Sequence, residues 1–129
     1  MELAFEKLAG LIPAVIQDHG TNEVLMLGFV NAESLARTQS SGEVHFFSRS
    51  RNKLWKKGEI SGHVLKVKEM RVDCDADSLL IRVETIGPGV CHEGYRSCFF
   101  RELQASGEAR VIEQRAFEPS DIYGQKGAE

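Results

Sequence analysis

Three cysteines, three prolines and one tryptophan are all that 129 residues contain of each. Three cysteines cannot all pair within one chain, and no C-x-x-C occurs. In a reducing compartment such thiols read better as metal ligands than as a disulfide framework. No apolar run approaches the roughly 20 residues of a membrane span. The N-terminus, MELAFEKLAGLIPAV, lacks a basic region ahead of an apolar stretch. A secretory signal is therefore not expected, and the expected location is the cytoplasm. Positive charge is not in excess: the net charge is −3. Nothing global points to nucleic acid or to an anionic membrane, and a lone tryptophan argues against a single-strand RNA platform. Repeats, low-complexity segments and linkers are missing too. The length suits one domain, residues 1–129, with the last dozen residues expected to fray.

What is present is concentrated between Val72 and Arg101, VDCDADSLLIRVETIGPGVCHEGYRSCFFR. This stretch holds all three cysteines, Cys74, Cys91 and Cys98, and three alternate aspartates, Asp73, Asp75 and Asp77. Around it the pattern predicts an α+β fold, mostly antiparallel sheet with one or two short helices. A short helix is expected over residues 2–8. Strands are expected over Ile12–Asp18 and Glu23–Val30, joined as a hairpin. Asn31 reads as the N-cap of a helix of about two turns through Thr38, stopped by Ser40-Ser41-Gly42. Further strands are expected over Glu43–Ser48, Leu54–Lys57, Val64–Val72, Ser78–Thr85 and Cys98–Gln104. Glu108–Phe117 fits strand or helix equally.

Thiolates suit a borderline-soft ion such as zinc; carboxylates suit a hard ion such as magnesium or calcium. Three thiolates leave a fourth tetrahedral position open, the pattern of catalytic zinc, where a bound water ionises near neutral pH. His92, beside Cys91, is the nearest candidate for a further ligand, a base or a supporting group. Three unrelated buried cysteines are the plainer alternative. In a strand, the three aspartates would share one face and Cys74 the other, and like charges so placed repel unless a cation joins them. An EF-hand is not expected, because Ser78 stands where its loop needs a glycine at the sixth position. The third feature is the basic hairpin SRSRNKLWKKGEISGH, residues 48–63. Arg49, Arg51, Lys53, Lys56 and Lys57 form a positive patch, and Trp55 offers a ring for stacking on a base. Gly58 and Gly62 let backbone N–H groups approach phosphate.

Four segments resemble the phosphoribosyl-AMP cyclohydrolases of histidine biosynthesis: DCDADSLL (73–80), GPGVCHEGYRSCF (87–99), EVHFFSRSRNKLWKKGEISGH (43–63), and LIPAVIQD with EVLMLGFVN (11–31). They cover roughly residues 10–101; 105–129 carry no motif. The resemblance implies a monofunctional hydrolase, without a fused pyrophosphatase domain. It implies one zinc per subunit on Cys74, Cys91 and Cys98, and magnesium on Asp73, Asp75 and Asp77. It also implies a homodimer with active sites at the subunit interface, Cys74 coming from one chain and Cys91 with Cys98 from the other. The expected reaction is attack of a zinc-activated water on C6 of the adenine ring, followed by N1–C6 cleavage. The deaminase signatures H-x-E and P-C-x-x-C do not occur. Arg49, Arg51, Trp55, Lys56 and Lys57 are expected to hold the nucleotide substrate. His92 or His63 is expected to move the proton, a choice the residues leave open. The competing reading is a non-catalytic, zinc-stabilised module that grips a phosphorylated ligand through the basic hairpin.

Overall fold

Strict alternation shapes the first strand, β1 (Ile12–Asp18), which buries Ile12, Ala14 and Ile16 on one face. The computed structural model describes residues 2–122. β1 turns back antiparallel onto β2 (Val24–Val30), with Ile12 opposite Val30 and Ile16 opposite Met26. Asp18 closes the turn, its Oδ1 accepting the N–H groups of Gly20 and Thr21 at 2.8 and 3.0 Å. Asn31 caps α1 (Ala32–Ser41) by accepting the Ser34 N–H, and Ser34 returns the bond in a capping box. The helix outlasts the expected end at Thr38. Ser40 turns its hydroxyl back onto the Arg37 carbonyl, and Gly42, at φ 75°, is the residue that ends the helix.

β3 (His45–Ser48) and β4 (Lys53–Lys56) form a hairpin of their own, with Phe46 opposite Trp55. β5 (Leu65–Val72) and β6 (Leu79–Thr85) pair antiparallel. The main sheet has the order β2-β1-β6-β5. Most pairings are antiparallel, as expected, but the central one, β1 with β6, is parallel. Parallel neighbours need a long crossover, supplied here by α1 and the β3–β4 hairpin, and no local pattern announces such a pairing. Ile12, Ile16, Leu25, Phe46, Leu65 and Ile81 are all but inaccessible and knit the two sheets and α1 into one core. Phe46 packs against Gly28, where a Cβ would stand 2.5 Å from the ring.

Three other expectations need correction. Residues 2–8 give only a 3-10 turn, Phe5–Leu8, ended by Ala9 in the left-handed region. Asp73–Ser78 is the turn between the strands expected over Val64–Val72 and Ser78–Thr85, so strand alternation does not apply to its aspartates. The strand expected from Cys98 begins only at Arg101 (β7, Arg101–Leu103), because the Cys98 N–H is spent on the Leu25 carbonyl at 2.7 Å. Of Glu108–Phe117, only Ala109–Val111 (β8) pairs, with β7. Of the last dozen residues, expected to fray, Pro119–Asp121 form a 3-10 turn. Residues 123–129 lie outside those described. Among the described residues no helix is long and apolar enough to cross a membrane.

Candidate active site

The aspartates converge because β5 must reverse into β6. Asp73 donates its N–H to the Ser78 carbonyl, and its Oδ1 accepts the N–H groups of Asp77 and Ser78 at 3.0 and 3.2 Å. Ala76, at φ 62°, tightens the reversal. One carboxylate oxygen from each of Asp73, Asp75 and Asp77 then lies within 4.8 Å of the others. Oxygens on an octahedral magnesium stand roughly 3–4 Å apart, so this donor set fits a hard cation. Desolvation acts to raise the pKa of Asp73, and the donors from Asp77 and Ser78 outweigh it, leaving a net lowering. Asp77 is pushed up by its neighbours Asp75 and Asp73. Lys7, from the N-terminal turn, reaches both Asp75 and Asp77 at 3.3 Å, and the Ala4 N–H binds the Ala76 carbonyl at 2.7 Å. The ammonium thus sits where a cation is electrostatically wanted, and the sequence offered no sign of it.

The second cluster is the loop from Cys91 to Cys98. Cys91 is buried and Cys98 exposed. The Cys98 thiol donates to Cys91, whose pKa is lowered to about 6, chiefly by that bond. Burial opposes the shift, while the N–H groups of Glu93 and Tyr95 and the charge of His92 assist it. Cys98, the proton holder of the pair, is raised, chiefly by its bond to Cys91. Two thiols so joined carry one negative charge at neutral pH. Thiols close enough to share a hydrogen bond suit two corners of one tetrahedral zinc, so the pair fits that ion. Cys74 is exposed on the aspartate turn. Among the described residues it makes no group of three metal-ligating side chains with Cys91 and Cys98.

The two histidines differ. His92 is exposed beside Cys91. His63 is clamped: Nδ1 lies 3.1 Å from the Gly89 carbonyl, its ring meets Phe117 edge-on at 5.0 Å, and Gly87 lies against the ring. Phe117 belongs to a strap over the thiol loop, in a segment without a sequence motif. Ala116 and Phe117 donate their N–H groups to the Gly94 carbonyl, and Arg115 Nε binds the Glu93 carbonyl at 2.9 Å.

The residues of the basic hairpin take four different places. Arg49 and Trp55 line an open cavity of about 600 Å³ with Phe46 and Phe47, and Arg49 lies 3.9 Å over the Phe29 ring. Arg51 and Trp55 line an adjoining pocket of about 140 Å³. Lys56 is paired with Glu43 at 2.7 Å and holds that carboxyl below its ordinary value. Lys57 turns inward: it is 5% exposed and donates to the Val90 carbonyl, next to Cys91, at 2.7 Å.

The sequence model of the phosphoribosyl-AMP cyclohydrolases matches residues 26–100. A phosphoribosyl-AMP cyclohydrolase of Solibacter usitatus is 54% identical over 126 residues, 98% of this chain and 99% of the relative. One from Methanosarcina barkeri is 55% identical over 120 residues, covering 93% of this chain and 89% of its own. One from Desulforapulum autotrophicum is 51% identical over 123 residues, covering 95% and 98%. The chain belongs to the phosphoribosyl-AMP cyclohydrolase family.

The span matched by the cyclohydrolase model contains the aspartate turn, the thiol loop and the basic hairpin. Lys7, Asp18, Glu23 and the strap at 115–117 fall outside it, and each touches one of those elements. Sequence reasoning missed all of them, since none carries a motif and each acts across a long sequence separation. The one available signal was the pairing of acids in the β1–β2 turn with a lone arginine, Arg96, between two cysteines.

Proposed function

We propose that this chain hydrolyses phosphoribosyl-AMP at the N1–C6 bond of the adenine ring. The product is the phosphoribosyl-formimino imidazole carboxamide ribonucleotide of L-histidine biosynthesis. The observation that carries the reading is a hydrogen-bonded thiol pair inside the span that matches the family. Cys91 and Cys98, with Cys74 of a second subunit, would hold zinc, and Asp73, Asp75 and Asp77 would hold magnesium. Zinc, when bound, lowers the pKa of a coordinated water toward neutrality and so supplies a nucleophile at physiological pH. Oxygen adds to C6, the C6–N1 bond breaks, and N1 leaves as the amidine nitrogen with a proton. His92, exposed beside the thiols, is assigned that proton transfer. His63, clamped between Gly89 and Phe117, orients the Gly87–Gly89 turn ahead of Cys91.

Trp55 presents its ring in the cavity for the substrate base, and Arg49 and Arg51 supply fixed positive charge for phosphate. Lys56 and Lys57 act less directly, the first through Glu43 and the second as a buried prop of the thiol loop. The homodimer reading is supported by the β7–β8 hairpin. A two-stranded hairpin is marginal alone. All six of its residues are exposed, and Leu103, Ala109 and Val111 share one face by register. A second copy of the chain would cover that face and bring in the missing thiol. Reduced thiols accord with a cytoplasmic enzyme.

The test is turnover: protein loaded with zinc and magnesium is mixed with phosphoribosyl-AMP and followed by ultraviolet absorbance. Ring opening supports the reading. Full zinc occupancy without turnover replaces it with a zinc-stabilised nucleotide-binding module. A second expectation concerns Lys7. A magnesium ion entering the aspartate turn must displace an ammonium bound to two carboxylates. Lys7→Met should therefore tighten magnesium binding by about two- to fivefold, the range of exposed ion pairs. Calorimetric titration measures it, and unchanged or weaker binding would show that the ammonium does not compete.

A further inference from the structure

The loop that carries Cys91 and Cys98 has no strand or helix of its own between Pro88 and Phe100. Its place is set from outside: Lys57, His63 and the strap hold its first half, and one side chain ties its second half to the β1–β2 turn. Arg96 donates from Nε to Glu23 Oε1 and from Nη2 to Asp18 Oδ2, both at 2.6 Å. Asp18 is 8% exposed. Burial acts to raise its pKa, but the N–H groups of Thr21 and Gly20 and the Arg96 guanidinium outweigh burial and hold it below the usual carboxylate range. The acid is thus an ionised, immobile anchor. The backbone beside the fork reaches both thiols. The Arg96 carbonyl accepts the N–H of Val90, the residue before Cys91, at 3.0 Å. Ser97 ties its hydroxyl to the Val24 carbonyl at 2.8 Å, and the Cys98 N–H binds Leu25.

We propose that Arg96, gripped by Asp18 and Glu23, is a positioning residue that presets the Cys91–Cys98 pair for its metal. This rests on the reading of those two thiols as zinc ligands. Arg96, Asp18 and Glu23 are not assigned to the metal; they act through the loop. A loop ordered before the metal arrives loses little freedom on binding it, and one released from its anchor must be ordered at that step. The planar guanidinium is suited to this task because it holds two carboxylates at once, which a lysine ammonium on its flexible stem does less well.

The test is zinc affinity in the full-length protein, by competition with a chromophoric chelator, with the cobalt(II) visible spectrum as a report on site geometry. Arg96→Met is expected to weaken zinc binding about 10–100-fold, the usual cost of losing a group that orients a ligand. Arg96→Lys should fall between it and wild type. Asp18→Asn should act in the same direction and add little to Arg96→Met, since both break one link. Leu35→Ala, in α1 and far along the chain from the loop, serves as a control for general destabilisation. If Arg96→Met leaves zinc affinity within about twofold of wild type, or lowers it no more than Leu35→Ala with an equal loss of Tm, the proposal is overturned. Cys91→Ser separates this from the underlying reading. Zinc retained by Cys91→Ser overturns the ligand assignment and the proposal with it. Zinc lost there but kept by Arg96→Met overturns the proposal alone.

Discussion

Cys91→Ser is expected to lose zinc and turnover together. Cys91 carries the charge of the thiol pair at neutral pH, because the Cys98 thiol donates to it and brings its pKa to about 6. A serine hydroxyl stays protonated there and cannot replace a thiolate ligand. Groups that only orient a ligand cost about 10–100-fold when removed, so loss of the ligand itself should exceed about 100-fold in zinc affinity. Metal analysis after dialysis against a chelator, with turnover on the same sample, reads both quantities. Acid should act in the same direction: lowering the pH through about 6 neutralises the pair and weakens zinc uptake. Asp75→Asn is the contrast, keeping zinc while losing magnesium dependence, since hard and soft ions use different donors. Full activity in zinc-free protein, or zinc lost equally in Asp75→Asn, would reject the two-metal reading.

Mixing two dead variants is expected to restore activity. Cys74 lies on the aspartate turn, and Cys91 with Cys98 on the loop anchored to β1–β2. Among the described residues the three thiols form no common cluster within one chain. If each zinc is shared between subunits, a dimer of Cys74→Ala with Cys91→Ala has one site bearing both defects and one site intact. Random reassortment makes about half of the dimers mixed, each with one working site of two. Activity should then recover to about a quarter of wild type after joint unfolding and refolding. If every site were built within one chain, both sites of each mixed dimer would lack a thiol. An inactive mixture in which mass spectrometry finds mixed dimers would reject the shared site.

The elements most legible in the sequence were those with local causes. The capping box of Asn31 and Ser34, the alternation in β1 and the turn signals of Gly42 are written in adjacent residues. The spacing of Cys74, Cys91 and Cys98 and of the three aspartates, together with the resemblance it carried, pointed to the family that the comparisons then showed. Strand alternation, weighed for Asp73, Asp75 and Asp77, does not apply, because they fall between the two expected strands. The reversal between β5 and β6 gathers them instead, with Ala76 in a left-handed conformation that no pattern of alternate aspartates signals.

Residue type and order along the chain determined which side chains carry metal-binding chemistry, because thiolates and carboxylates have that affinity wherever they are placed. Only the tertiary structure decided what surrounds them. The parallel pairing of β1 with β6, the inward turn of Lys57 onto the Val90 carbonyl, the contact of Lys7 with the aspartates and the Arg96 fork all join residues far apart in sequence. Such contacts are selected by how the whole core packs and by which charges it leaves needing partners. That is a balance struck over the entire chain, which no single stretch of it contains.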